Sequence, residues 1–259
     1  MSAAVHTTER VKVAPTGAAA GAYVTGIDLS KQTDAEEIAA LRQALLDHLV
    51  VALPDQNLSL DDLERLTDQL GGRDLTPFVK PVPGRPYVIR ILKGKHETLN
   101  FANAWHTDLS YLPVPPSFTL LYCLDAPPSG GDTIWANQYM AYETLSNDVR
   151  ETLRGLDAVH SAGLAYGTGG YLDHVKDQIS TPIEPSKDAF REQTHPAVIA
   201  HAETGKSALY VNPVYTTRLS GLSEADSRTL LQQVHPHAVS ERFTWRLRWA
   251  KGTLAIWDN

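Results

Sequence analysis

The chain holds a single cysteine, Cys123, among 259 residues. No disulfide can form within it, and a reducing cytoplasm is its expected location. No run of about 18 apolar residues is present to span a bilayer. Residues 1–22 carry Glu9, Arg10 and Lys12 and lack the apolar stretch and cleavage site of a secretory signal. Positive charge is scarce: 23 Lys plus Arg against 30 Asp plus Glu leave a formal net charge of −7. That argues against nucleic acid as the main partner, because phosphate binding needs a basic surface. No repeat of roughly 20–50 residues and no Walker or dinucleotide fingerprint is visible.

What is present describes an ordinary globular chain, 42% hydrophobic and 20% charged. The length fits one domain over 1–259, with a loose lead-in over about 1–10. Strand character occurs near Val11–Val13, Tyr23–Val24, Val50–Leu53, Tyr87–Leu92, Phe118–Cys123 and Ala208–Val211. Thr33 and Glu36 have capping-box spacing before the helical face of Ile38, Leu41, Leu45 and Leu49. Ser59 caps a second helix carrying Leu60, Leu63, Leu66 and Leu70, closed by Gly71 and Gly72. Ala141–Leu156 reads as one helix, and another runs from Ser223 to about Val234. Trp245, Leu247 and Trp249 alternate with Arg246 and Arg248, the period of a half-buried strand, and Leu254–Trp257 follows the Lys251–Gly252 turn. Many separated strands without regular strand–helix alternation predict a mainly β fold, a sandwich or jelly roll with added helices. Gly155–Pro196 reads as a lid or insertion, and Cys123, in an apolar run, as a core residue.

The most informative stretch is Asn103-Ala104-Trp105-His106-Thr107-Asp108-Leu109-Ser110-Tyr111. On a strand, residues two apart share a face, so His106 and Asp108 would present an imidazole nitrogen and a carboxylate oxygen together. One further His would complete the 2-His-1-carboxylate set that leaves open positions on Fe(II). The alternative is a plain His–Asp hydrogen bond at a strand end. Downstream, Pro127-Pro128-Ser129-Gly130-Gly131-Asp132-Thr133 forms a turn that delivers Thr133 to the start of a strand.

Trp105–Asp108, Pro127–Thr133, Tyr210-Val211-Asn212 with Thr216-Thr217-Arg218, and Ile256-Trp257-Asp258-Asn259 together resemble the taurine/2,4-D dioxygenase (TauD/TfdA) family. The resemblance runs from about Val11 to Asn259, with the motifs in the family's order. It implies a double-stranded β-helix, or jelly roll, and an oxygenase using Fe(II), 2-oxoglutarate and O₂. By that resemblance His106 and Asp108 are iron ligands, and Thr133 hydrogen-bonds the distal carboxylate of 2-oxoglutarate. The reaction implied hydroxylates an organic acid, sulfonate, sulfate ester or aryloxy acid and yields succinate and CO₂. Lys80 would meet an anionic substrate, Asn103 would face its cavity, and Tyr166 and Tyr210 would wall it. The expected partner is a small anionic molecule, with no nucleic acid and no membrane; self-association is left open. The resemblance places a second His ligand and a carboxylate-binding Arg after Asn259, and none of His160, His195, His201, His235 and His237 matches that ligand. The C-terminal part of the jelly roll is therefore expected to be missing from this chain. A binding protein without catalysis and a mononuclear zinc hydrolase are the competing readings.

Overall fold

The computed structural model describes residues 10–259, so all but the end of the expected lead-in lies outside the described residues. In chain order the elements are β1 (Lys12–Pro15), β2 (Ala22–Thr25), α1 (Ala35–His48), β3 (Val50–Leu53), α2 (Leu60–Leu70), β4 (Pro81–Val82) and β5 (Arg85–Ile89). Next come β6 (Phe118–Tyr122), β7 (Thr133–Ala136), α3 (Gln138–Glu143), α4 (Asn147–Arg154), β8 (Asp157–Ser161), α5 (Gly163–Tyr166) and α6 (Tyr171–Val175). The chain ends with β9 (Glu192–Pro196), β10 (Val198–Ala200), β11 (Ser207–Leu209), β12 (Thr216–Leu219), α7 (Glu224–Ala238), β13 (Thr244–Leu247) and β14 (Leu254–Asp258).

The main sheet has the order β1-β2-β3-β14-β6. The β2–β3 pair is parallel, whereas β14 runs antiparallel to both of its neighbours. Every residue of β3 is buried because both faces of the sheet are covered. On one face Val51, Leu53, Leu254 and Ile256 pack on Leu41, Leu45 and Leu66 of α1 and α2. On the other, Val50, Ala52 and Ala255 meet Trp245 and Leu247 of β13, which pairs with β7. A second sheet, β12-β8-β9, holds its own core with α7. The sheets with added helices agree with the expected fold class, but the parallel β2–β3 pair makes the main sheet mixed.

Local details depart from the sequence reading for tertiary reasons. The N-cap of α1 is Asp34, which forms its capping box with Glu37. Thr33 is instead buried, with its hydroxyl donating to Gln69 Oε1 at 2.8 Å. The single helix expected over Ala141–Leu156 is two, because Ser146 caps α4 afresh and the Thr144 hydroxyl back-bonds to the Met140 carbonyl. Helix α7 runs on through Pro236 to Ala238, whose side chain is buried in the core. The strand at Tyr87 starts and stops earlier than expected, since the backbone of Leu92 exchanges hydrogen bonds with the Thr181 hydroxyl. Residues 155–196 start at the C-cap of α4 and run through β8 to its antiparallel partner β9, with α5 and α6 between the two strands. Cys123 follows β6 and is only partly buried, because its backbone is bonded to the turn at Gly252–Thr253 rather than continuing into the core. No helix among the described residues is long and apolar enough to cross a membrane.

Candidate metal centre

His106 and Asp108 lie on an irregular stretch that enters a turn, not on the expected strand. Leu109 adopts φ +52°, which redirects the backbone, and its carbonyl accepts the N–H of Leu112 at 2.8 Å. The two side chains nevertheless converge, with His106 Nε2 3.2 Å from Asp108 Oδ1. His106 Nδ1 lies 2.7 Å from the Ala104 carbonyl. That carbonyl can only accept, so it assigns the hydrogen to Nδ1 and leaves the Nε2 lone pair facing the carboxylate. Two acceptors at this separation need a cation between them, either a proton or a metal ion.

The electrostatics agree. Burial disfavours the charged His106 ring, but the Asp108 carboxylate and the Ala104 carbonyl outweigh it and hold the imidazole above its ordinary value. Burial likewise opposes ionised Asp108. The His106 ring and hydrogen bonds from Thr119 and Trp257 prevail, and hold the carboxyl below its ordinary value. Thr119 on β6 and Trp257 on β14 are direct cross-strand partners. Asn259 Nδ2 donates to Thr119 Oγ1 at 2.8 Å, which leaves the Thr119 hydroxyl proton for Asp108. The central sheet therefore fixes the orientation of a carboxylate carried by a loop.

Aromatic rings surround the pair. Tyr215 stands edge-on to His106 at 6.1 Å and to Tyr111 at 4.8 Å, and Phe78 lies 5.9 Å from Tyr111 and 5.7 Å from Tyr166. Burial pushes the phenol of Tyr166 up to about 12, partly offset by a hydrogen bond with Tyr215, and the nearby Asp108 charge adds to the rise. Phe78, with φ +68°, precedes the buried Val79 and then the exposed Lys80.

The structure thus brings His106, Asp108 and Tyr166 into one neighbourhood. Thr133 opens β7, where its Oγ1 accepts the Trp249 Nε1–H at 2.9 Å, so its hydroxyl proton is left to donate elsewhere. Its strand-mate Trp135 lies 5.4 Å from Trp257, the donor to Asp108. Tyr210 packs behind the loop, against His160 and His195 at 5.6 Å each, and His160 Nδ1 in turn meets the Ser110 hydroxyl at 3.1 Å. Asn103 is exposed. Sequence reasoning missed Thr119, Tyr111, Tyr215 and the donor role of Trp257. Tyr111 and Trp257 sit inside the quoted motifs, whereas nothing local marks Thr119.

The donor set fits a metal in part. A neutral imidazole nitrogen and a carboxylate oxygen, each held by a hydrogen-bonding partner, suit two positions of a facial set. Among the described residues no group of three His, Cys, Asp or Glu side chains could hold a metal ion.

Comparisons with known proteins agree with this geometry. Residues 11–259 match the family described as taurine catabolism dioxygenase TauD, TfdA family. An alpha-ketoglutarate-dependent sulfate ester dioxygenase of Pseudomonas putida is 33% identical, over 100% of this chain and 84% of its own length. An alkylsulfatase of Acinetobacter baylyi is 32% identical, over 92% of this chain and 74% of its own. The crystal structure of a taurine dioxygenase from Burkholderia xenovorans superposes with a TM-score of 0.77 at 32% identity, covering 96% of this chain and 81% of that one. The mixed sheets with helices are thereby matched to a jelly-roll family, whose named members include alpha-ketoglutarate-dependent dioxygenases, enzymes of the oxidoreductase class. Fold, motifs and relatives converge: this chain belongs to the TauD/TfdA family of dioxygenases.

Proposed function

We propose that this protein is an Fe(II)- and 2-oxoglutarate-dependent dioxygenase. It hydroxylates a small anionic substrate of the sulfate ester, sulfonate or aryloxy acid class and converts 2-oxoglutarate to succinate and CO₂. The observation that carries the reading is the His106 Nε2–Asp108 Oδ1 pair, two acceptors held 3.2 Å apart with the imidazole tautomer fixed by Ala104. His106 and Asp108 would contribute two iron ligands, and the family resemblance places the third, a histidine, after Asn259. Bound iron supplies the redox chemistry with O₂ and the co-substrate.

The chain's own residues do the positioning. Thr133, its lone pair occupied by Trp249, donates its hydroxyl hydrogen to the distal carboxylate of 2-oxoglutarate. Thr119 and Trp257 keep Asp108 ionised and correctly turned. Phe78, Tyr111, Tyr166 and Tyr215 exclude water beside the metal position. Lys80, exposed beyond Val79, meets the anionic head of the substrate, and the exposed Asn103 lies just before the metal motif, whereas Tyr210 supports the loop from behind. Sulfate esters are the first class to assay, supported by the named activities of the Pseudomonas and Acinetobacter relatives. The unbridged Cys123 suits a reducing cytoplasm.

The test is succinate formation with Fe(II), ascorbate and 2-oxoglutarate over a panel of alkyl sulfates, sulfonates and aryloxy acids. Substrate-dependent succinate is expected. Ester cleavage supported by Zn(II), with no succinate, would identify a hydrolase instead.

A further inference from the structure

Positive charge is scarce in this chain, yet it is concentrated in one place. Between Asp74 and Glu97 lie 22 residues with five Lys and Arg and no acid, in a chain of net charge −7. Arg85 is neutralised by Asp61 and Glu64 of α2. Arg90, Lys93 and Lys95 are exposed, and none has a carboxylate in ion-pair contact among the described residues; Lys93 reaches only the neutral side chain of Asn100.

Apolar side chains are exposed in the same short stretch. Ile91 is 46% and Leu92 43% exposed, between Arg90 and Lys93. A loose backbone does not account for this. The Leu92 N–H donates to the hydroxyl of the buried Thr181 at 3.0 Å, and that hydroxyl donates to the Leu92 carbonyl at 3.1 Å. Glu97, the first acid after the run, accepts the Gly94 N–H at 2.8 Å and the Ser180 hydroxyl. A Cβ at Gly94 would crowd that carboxylate at 2.7 Å. Residues 90–95 are thus fastened to Ser180 and Thr181, with two aliphatic side chains and three cations left in solvent.

Adjacent aliphatics framed by cations complement an interface that is anionic outside and apolar beneath. Nucleic acid offers no such apolar layer, and residues 90–95 carry no aromatic ring on which a base could stack. The negative charge elsewhere on the protein is screened within roughly 8 Å at physiological ionic strength, so the local cations decide the contact. We propose that residues 90–95 are a peripheral docking surface for an anionic lipid bilayer. Arg90, Lys93 and Lys95 pair with the head groups, and Ile91 and Leu92 enter the boundary below them. The contact is reversible and does not span the bilayer, since no described helix is long and apolar enough to do so. It qualifies the expectation that no membrane is met, and it does not rest on the dioxygenase reading.

Co-sedimentation of the full 259-residue chain with sucrose-loaded vesicles tests the surface without metal or turnover. Vesicles of equal parts phosphatidylglycerol and phosphatidylcholine should bind the wild type at low salt, and pure phosphatidylcholine should not. Salt at about 0.5 M should release the protein. Each lost cation should weaken partitioning about fivefold, so Lys93→Gln with Lys95→Gln should weaken it roughly 25-fold. Lys251→Gln, an exposed cation elsewhere, should leave it unchanged. Ile91→Ser with Leu92→Ser should also weaken binding, with near-ultraviolet circular dichroism confirming the fold. Hydrogen exchange of the wild type, which needs no variant, should slow at residues 90–96 on anionic vesicles. No binding to anionic vesicles, or binding indifferent to Lys93 and Lys95, would overturn the proposal. Binding that ignores Ile91 and Leu92 and is matched by soluble dextran sulfate would overturn it too, in favour of a polyanion such as nucleic acid or an acidic protein.

Discussion

Trp257 and Thr119 stand directly opposite each other on β14 and β6, and both donate to one carboxylate, that of Asp108. The candidate ligand is carried by an irregular loop, but its orientation comes from the middle of the main sheet. Partners of this kind typically affect metal affinity about 10- to 100-fold. Trp257→Phe keeps the ring and removes the donor. It should weaken binding of Mn(II) or Co(II), relative to wild type, by roughly that factor in a calorimetric titration, while circular dichroism stays unchanged.

Thr133 makes a separable prediction. A hydroxyl donated to a carboxylate contributes about 1.5–3 kcal/mol, so Thr133→Val should raise the apparent constant for 2-oxoglutarate roughly 10- to 100-fold. Metal affinity should change much less, since Thr133 is bonded to Trp249 and not to either ligand. Steady-state kinetics in 2-oxoglutarate, alongside the metal titration, separate the two effects.

Helix α1 offers a test of stability. Asp34 accepts the Glu37 N–H at 2.8 Å, and Glu37 returns a bond to the Asp34 N–H at 3.0 Å. Asp34→Ala should cost about 1 kcal/mol in urea unfolding, the usual loss for an N-cap. Glu36→Ala, at the position where the sequence spacing puts the capping partner, should cost far less.

Asp258 gives a pH signature. Burial, reinforced by Glu203, raises its carboxyl from 3.8 to about 6 against the opposing pull of His201 and Arg42. Because the folded value lies above the unfolded one, its stabilising contribution is full below about pH 4 and is lost as pH rises through about 6. Asp258→Asn should therefore lose less stability than wild type between those values, as read from thermal midpoints across the range.

The sequence makes some of this legible and hides the rest for physical reasons. Ser59 with Gly71 bounds α2 as expected, because both signals are local and nothing competes with them. At α1 two overlapping boxes, Thr33 with Glu36 and Asp34 with Glu37, are equally good locally. The contact of Thr33 with Gln69, a residue on another helix, decides between them. The His106–Asp108 pairing is visible in the spacing, but the positive φ of Leu109 that shapes the loop is not. Thr119 carries no mark at all. It joins the site only because β14 registers Trp257 against it. The alternation of Trp245, Leu247 and Trp249 marks a strand, but β13 ends at Leu247, and the stacking of Trp245 on Trp135 depends on register.

The most direct measurement is metal content and Fe(II)-dependent succinate formation in His106→Ala and Asp108→Ala beside the wild type, in the same preparation and with folding checked by circular dichroism. The account predicts that both variants keep the fold, bind metal more weakly than wild type and form no succinate above background. Metal content and succinate equal to wild type in either variant would contradict it and remove that residue from the metal centre.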